Sequence, residues 1–174
     1  MTPAQPKAAK PLLRLIAMWS AAAAVVGALV VGYVTYSGLE DKGMRADPND
    51  AAQLSLGRQI YARECASCHG DRLQGQPNWR QRRASSGRLP APPHDETGHT
   101  WHHSDELLFT MTKRGPAALI PAGYQTDMPA YASKLDDREI WAVLAFIKSR
   151  WPKVIRDRQD AITRRDRQRQ RRSR

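Results

Sequence analysis

Thiols are nearly absent from this chain. Of 174 residues only two are cysteine, and both fall within four positions, Cys65-Ala66-Ser67-Cys68. Two cysteines cannot build the disulfide framework of a small secreted scaffold, and a spacing of i, i+3 is tight for a structural bridge. A second cysteine pair is missing too, so a structural zinc site has no way to close its tetrahedron. No stretch alternates apolar and polar residues with the period of two that marks a strand, and no internal repeat is present. That removes the strand-to-helix junction in which a redox dithiol of the thioredoxin kind sits. Acidic residues are scarce, 17 against 28 Lys and Arg, for a formal net charge of +11. Charge of either sign is absent from residue 15 to residue 39.

That uncharged run is the first positive feature. As a helix it reaches about 37 Å at about 1.5 Å per residue, enough to cross a hydrocarbon layer of about 30 Å with some tilt. Arg14 and Glu40 bound it, and Trp19, Tyr33 and Tyr36 suit the two interfaces. A cleavable leader is the rival reading, with Ala21 to Ala24 as a small-residue cleavage site. Cleavage there leaves VVGALVVGYV as an apolar new terminus, so the length argument favours an uncleaved anchor. The expected organisation is a short basic segment (1–14), a transmembrane anchor (15–39), a linker (40–50), a helical domain (51–155) and a basic tail (156–174). The tail carries nine basic against three acidic residues without apolar periodicity and is expected to be disordered.

Within the domain, Asp47 as N-cap with Pro48 at the first helical position predicts a helix running up to Cys65, with Leu56, Gly57, Ile60 and Tyr61 on one side. Residues 70–100 form a long loop rich in glycine and proline, among them Pro77, Pro90, Pro92 and Pro93. A short helix follows, capped by Ser104, with Asp105 and Glu106 in its first turn and Gly115-Pro116 as its stop. The best-defined helix starts at a capping box of Asp136 and Glu139 and carries Ile140, Trp141, Val143, Leu144 and Ile147 at helical spacing.

His69 stands directly behind the second cysteine. Two thiols at i, i+3 match the two vinyl groups of a haem, and a histidine placed next lands under the iron as its fifth ligand. Cys-x-x-Cys-His is the signature of covalent haem attachment for that reason. A sixth ligand is needed unless the site is open. Met128, in the proline-bearing loop QTDMPAY, offers a soft thioether that raises the potential relative to two histidines. Met111 lies on the apolar stripe of a short helix and reads as packing. The other four histidines, His94, His99, His102 and His103, fall within ten residues and form a candidate second metal site for copper or zinc, with Asp95 and Glu96 beside them. A related reading makes one of them the sixth iron ligand. The bland reading is a polar loop with Trp101 packed near the haem edge. Arg80, Arg82, Arg83 and Arg88 either neutralise haem propionates or form a solvated face.

Residues 50–152 resemble a class I, monohaem cytochrome c domain of the membrane-anchored bacterial type. LGRQIYARECASCHG resembles the family's N-terminal helix running into its haem motif, and MPAYASKLDDREIWAVLAFIKSRWP its methionine loop and C-terminal helix. The resemblance implies an all-α fold around one covalent haem c, joined to Cys65 and Cys68, with His69 and Met128 as axial ligands. It also implies a crossing of the first and last helices, Gly57 and Tyr61 against the Trp141–Leu144 face. The family usually orients its proximal histidine with a backbone carbonyl beside a proline soon after the motif. Here Pro77 comes early and Pro90 late, and neither is assigned. The function implied is electron transfer rather than enzymatic catalysis. By analogy, the expected partners are a quinol-oxidising complex or dehydrogenase on one side and a terminal oxidase or reductase on the other. The expected location is the bacterial inner membrane, single-pass, with the haem domain in the periplasm. That keeps the basic tail away from nucleic acid and turns it toward anionic lipid or an acidic redox partner. Two other readings stay open: a copper-handling accessory protein using the His94–His103 loop, and a haem-based small-ligand sensor.

Overall fold

The computed structural model describes residues 19, 23–33, 45–120 and 124–173. The chain divides into two compact units, 1–43 and 44–174. In the first, α1 (23–33) is helical and exposes Val25, Val26, Leu29, Val30 and Tyr33. Among the described residues no helix is long and apolar enough to cross a membrane. Apart from Trp19 and α1, the expected anchor at 15–39 lies outside the described residues, as do the segment 1–14 and the linker through residue 44.

The second unit is helical, with no strand among the described residues. It begins with α2 (Ala51–Ile60), which passes through a π-helical turn (Tyr61–Cys65) into the short α3 (Ala66–His69). A loop then leads through a 3-10 turn (Thr100–His102) to α4 (Asp105–Arg114), a second 3-10 turn (Pro116–Ala118), α5 (Asp137–Ser149) and α6 (Lys153–Arg172). The cap of α2 differs from expectation. Asp50, not Asp47, accepts from the N–H groups of Ala52 and Gln53. Asp47 instead accepts from Asn49 in the preceding turn. Ser104 caps α4 as expected, and Asp136 and Glu139 close the capping box of α5 in both directions. Gly115 ends α4 at φ +76°, a conformation glycine adopts without strain.

α2 and α5 cross at Gly57. A Cβ on Gly57 would run into the backbone carbonyl of Ala142, so only a glycine permits this approach. Around the crossing lie Ile60, Tyr61, Ile140, Val143, Leu144 and Ile147, all buried. Each such side chain taken out of water contributes about 1.5–3 kcal/mol. Tyr61 meets Phe146 with ring centroids 5.4 Å apart, and Trp141 stacks on Phe109 of α4 at 4.5 Å.

The tail expected to be disordered is helical. Residues 156–172 belong to α6, and polar bonding rather than apolar periodicity holds it. Asp105 receives Nζ of Lys148 at 2.8 and 3.0 Å and Nε2 of Gln159 at 2.7 Å. The backbone N–H of Asp105 donates to Thr163, Ser104 donates to Asp166 at 2.6 Å, and Arg167 pairs with Glu106. Gln159 and Thr163 are buried, at 0% and 3% exposure. A hydropathy pattern registers none of these contacts.

Candidate haem site

Cys65 and Cys68 enter the site at the end of a helix whose geometry changes just before them. In the π-helical turn the backbone N–H of Ala66 reaches the carbonyl of Tyr61, one residue further back than in an α-helix. Gly70 closes α3 at φ +80°. Two tyrosine hydroxyls fasten this segment: Tyr61 donates to the carbonyl of Gly70 at 2.9 Å and Tyr131 to that of Glu64 at 2.8 Å. Burial raises the pKa of both phenols, that of Tyr131 to about 12.

The two thiols are not bonded to each other; Cys65 is half-buried and Cys68 exposed. Burial, and then the charge of Glu64, pushes the Cys65 thiol up to about 12. A redox dithiol needs the opposite, a thiolate stabilised near neutral pH. Cys65 is therefore a neutral thiol near neutral pH, ill suited to disulfide exchange.

His69 is 7% exposed, and its Nδ1 lies 2.8 Å from the carbonyl oxygen of Pro92. A carbonyl only accepts, so Nδ1 carries the proton and Nε2 holds the free lone pair. Burial lowers the pKa of His69, against the opposing effect of the Pro92 bond, and keeps the ring in its neutral, ligating form. Pro92 is the carbonyl that the sequence left unassigned. It is brought there by a loop folded back on the motif: Gly75 donates to the carbonyl of His69 at 2.7 Å, Gln76 to that of Ala91 at 2.9 Å and His94 to that of Leu73 at 2.7 Å. Gly75, at φ +67°, lies so close to the returning strand of chain that a Cβ would strike Pro93. The only sequence signal was the run Pro90-Ala91-Pro92-Pro93, which shows an extended segment but not where its carbonyls point.

Met128 is half-buried and packs against the core cluster. Its neighbour Asp127 is gripped by Arg88 and by Arg83, the latter at 2.8 Å, and these bonds, Arg88 first, hold its carboxyl below the usual range. Two of the four loop arginines thus tie the methionine loop to residues 83–88, a role the sequence reading did not consider. Beyond Met128, Tyr131 and Ala132 donate to the carbonyls of Thr112 and Lys113 at the end of α4. Met111 is half-buried on α4 itself.

The four remaining histidines, His94, His99, His102 and His103, are not gathered around one point. His94 stacks on His69, His99 stacks on Trp79 and meets His103 edge-on, and His102 stacks on Trp101. Among the described residues no group of three or more His, Cys, Asp or Glu side chains is arranged to hold a metal ion. Burial first, then neighbouring positive charge, lowers the pKa of His94, His99 and His103.

Two unpaired thiols at i, i+3 and a buried imidazole with Nε2 left free are the donor set a covalent haem requires, so the residues present fit that group. The class defined by this fold and site is a helical electron-transfer domain built around haem. The family model for cytochrome c matches residues 54–151. The chain belongs to the cytochrome c family, and its cofactor is covalent haem c. It is similar to the cbb3-type cytochrome c oxidase subunit CcoP of Azospirillum brasilense, 30% identical over 98 residues covering 56% of this chain and 28% of that protein. The corresponding subunit of Azospirillum sp. (strain B510) is 26% identical over 98 residues, with 56% and 29% covered. The match spans less than a third of the length of either relative. No solved structure gives a significant match.

Proposed function

We propose that this protein is a membrane-anchored, monohaem cytochrome c that carries single electrons between respiratory or dehydrogenase partners in the periplasm. Cys65 and Cys68 hold the haem as thioethers, His69 is its proximal ligand and Met128 its distal one. Bound haem supplies an iron centre that gains and loses one electron. The chain's own residues do the rest. The Pro92 carbonyl sets the tautomer of His69, and the Asp127 clamp fixes the loop that carries Met128. The uncharged run at 15–39 confines the domain to the membrane surface.

The observation that carries this reading is the 2.8 Å approach of His69 Nδ1 to Pro92, because it leaves the other nitrogen of a buried ring ready for iron. Partners are read from chemistry and from the relatives: a quinol-oxidising complex or dehydrogenase as donor, and a terminal oxidase or reductase as acceptor. α6 supports an acidic partner or anionic headgroups. Arg158, Arg165, Arg169 and Arg172 are exposed, recur on one helical face, and form no ion pair among the described residues.

The test is purification from membranes followed by a redox-titrated absorption spectrum and the intact mass of the chain. Covalent haem, a six-coordinate reduced spectrum and a retained N-terminal segment are expected. Rapid carbon monoxide binding by the reduced protein would replace electron transfer by ligand sensing as the function.

A further inference from the structure

His94 is held against the proximal histidine by bonds that do not involve that contact. Its ring lies nearly parallel to the ring of His69, with centroids 3.9 Å apart and planes 20° from each other. Its backbone N–H donates to Leu73 at 2.7 Å, and its carbonyl accepts from Nε1 of Trp151 at 2.7 Å. Its Nδ1 lies 2.8 Å from Oγ1 of the buried Thr100, whose hydroxyl reaches the carbonyl of Pro93 at 3.4 Å. With the hydroxyl proton turned to Pro93, Oγ1 accepts the Nδ1 proton of His94. Main chain and ring are thus tied separately, to the loop behind the motif, to the turn after α5 and to the 3-10 turn at Thr100–His102.

This arrangement rules His94 out as the sixth ligand. Ligands on opposite sides of a metal lie end to end across it, each with its nitrogen about 2 Å away. Stacked rings share one side.

The geometry points to His94 as a positioning residue for the proximal ligand, one whose ring face fixes the plane of His69 and lowers the reduction potential of the haem. This rests on His69 being that ligand. The Cβ–Cγ bond and the Nδ1 contact to Pro92 define the plane of the His69 ring, and the face of His94, stacked at 3.9 Å, backs that plane against tilting. An imidazole bound to oxidised iron carries more positive charge than one bound to reduced iron. An aromatic face attracts positive charge, so the stack favours the oxidised state.

The experiment uses the holoprotein and reads two quantities, the midpoint potential and the electron paramagnetic resonance g values of the oxidised haem, which report the orientation of the axial ligands. The wild type comes first: a low-spin spectrum without a histidine ligand defeats the assignment of His69 and the proposal with it, whereas the variants that follow test the stack alone. With that assignment secure, His94→Leu is expected to raise the potential by the equivalent of about tenfold in the one-electron equilibrium constant, about 59 mV, and to shift the g values. His94→Phe, which keeps a ring face, is expected to restore most of both. Thr100→Val, which frees the His94 ring, is expected to shift the g values in the direction of His94→Leu, by less. Unchanged potential and g values in His94→Leu overturn the proposal, as does a Phe variant indistinguishable from Leu. Should His94→Leu fail to acquire haem, Thr100→Val decides: wild-type g values and potential there overturn it equally.

Discussion

Nζ of Lys148 lies 2.8 and 3.0 Å from the two carboxylate oxygens of Asp105, with the two side chains only 3% and 6% exposed. This pair joins the end of α5 to the start of α4, and α6 reaches it through Gln159. Removing one partner leaves the other charge buried, a change that costs about 3–5 kcal/mol. Lys148→Met is therefore expected to destabilise the domain by that amount in denaturant unfolding followed by circular dichroism, and to speed proteolysis within α6. The double variant Lys148→Met/Asp105→Leu is expected to recover most of the loss, because the buried charge left by the single variant is gone; Asp160, which also pairs with Lys148, is about half exposed, and Arg167 keeps Glu106.

Gly57→Ala places a methyl group against the Ala142 carbonyl and forces α2 and α5 apart. Overpacking of this kind costs about 1–3 kcal/mol. A lower midpoint of thermal unfolding and a reduced yield of haem-loaded protein are expected. An unchanged midpoint would contradict the crossing.

Asp127→Asn removes the charge held by Arg83 and Arg88. The groups are largely exposed, so global stability should change little. The local effect is larger, since the clamp adjoins Met128. Stopped-flow mixing of the reduced variant with carbon monoxide is expected to show faster binding than in the wild type.

With Met128 as the proposed distal ligand, Met128→His is expected to lower the midpoint potential, because a second imidazole would take the place of a thioether that favours reduced iron. Met111→Leu is expected to leave both potential and absorption spectrum as they are. A reversal of these two results in redox titration would transfer the distal role to Met111.

Tyr131 gives an alkaline signature. Its folded pKa of about 12 stands above the ordinary value near 10, so the fold favours the protonated phenol. The associated stability is fully present below pH 10 and is lost as pH rises from about 10 to about 12. Tyr131→Phe is expected to flatten the decline of unfolding free energy with pH in that window. At neutral pH the same variant costs about 1 kcal/mol for the lost bond to Glu64.

The features readable in the sequence were those in which residue type and spacing alone set the geometry. Cys65, Cys68 and His69 qualify, as do the Ser104 cap and the Asp136–Glu139 box. The α2 cap was displaced by three residues because Asp47 and Asp50 are both competent caps and only the course of the turn selects between them. Pro92 was not identifiable, since its contribution is a backbone oxygen whose position depends on how residues 70–99 fold back. The order of α6 was missed because Lys148, Gln159 and Thr163 act through bonds to Asp105, and polar residues in a basic stretch look alike whether buried or solvated. The dispersal of the four histidines over separate aromatic partners was equally beyond reach of their spacing.

The π-helical turn at Tyr61–Cys65 has a consequence for how this chain tolerates insertion and deletion. One extra residue in a helical turn rotates all that follows by roughly 100° about the axis, given about 3.6 residues per turn. The surface of α2 that contacts α5 and the surface that offers the thiols are therefore set independently, with the wide turn acting as a phase shifter between them. A chain shortened by one residue there keeps its helix crossing and turns its sulfurs toward the wrong quarter.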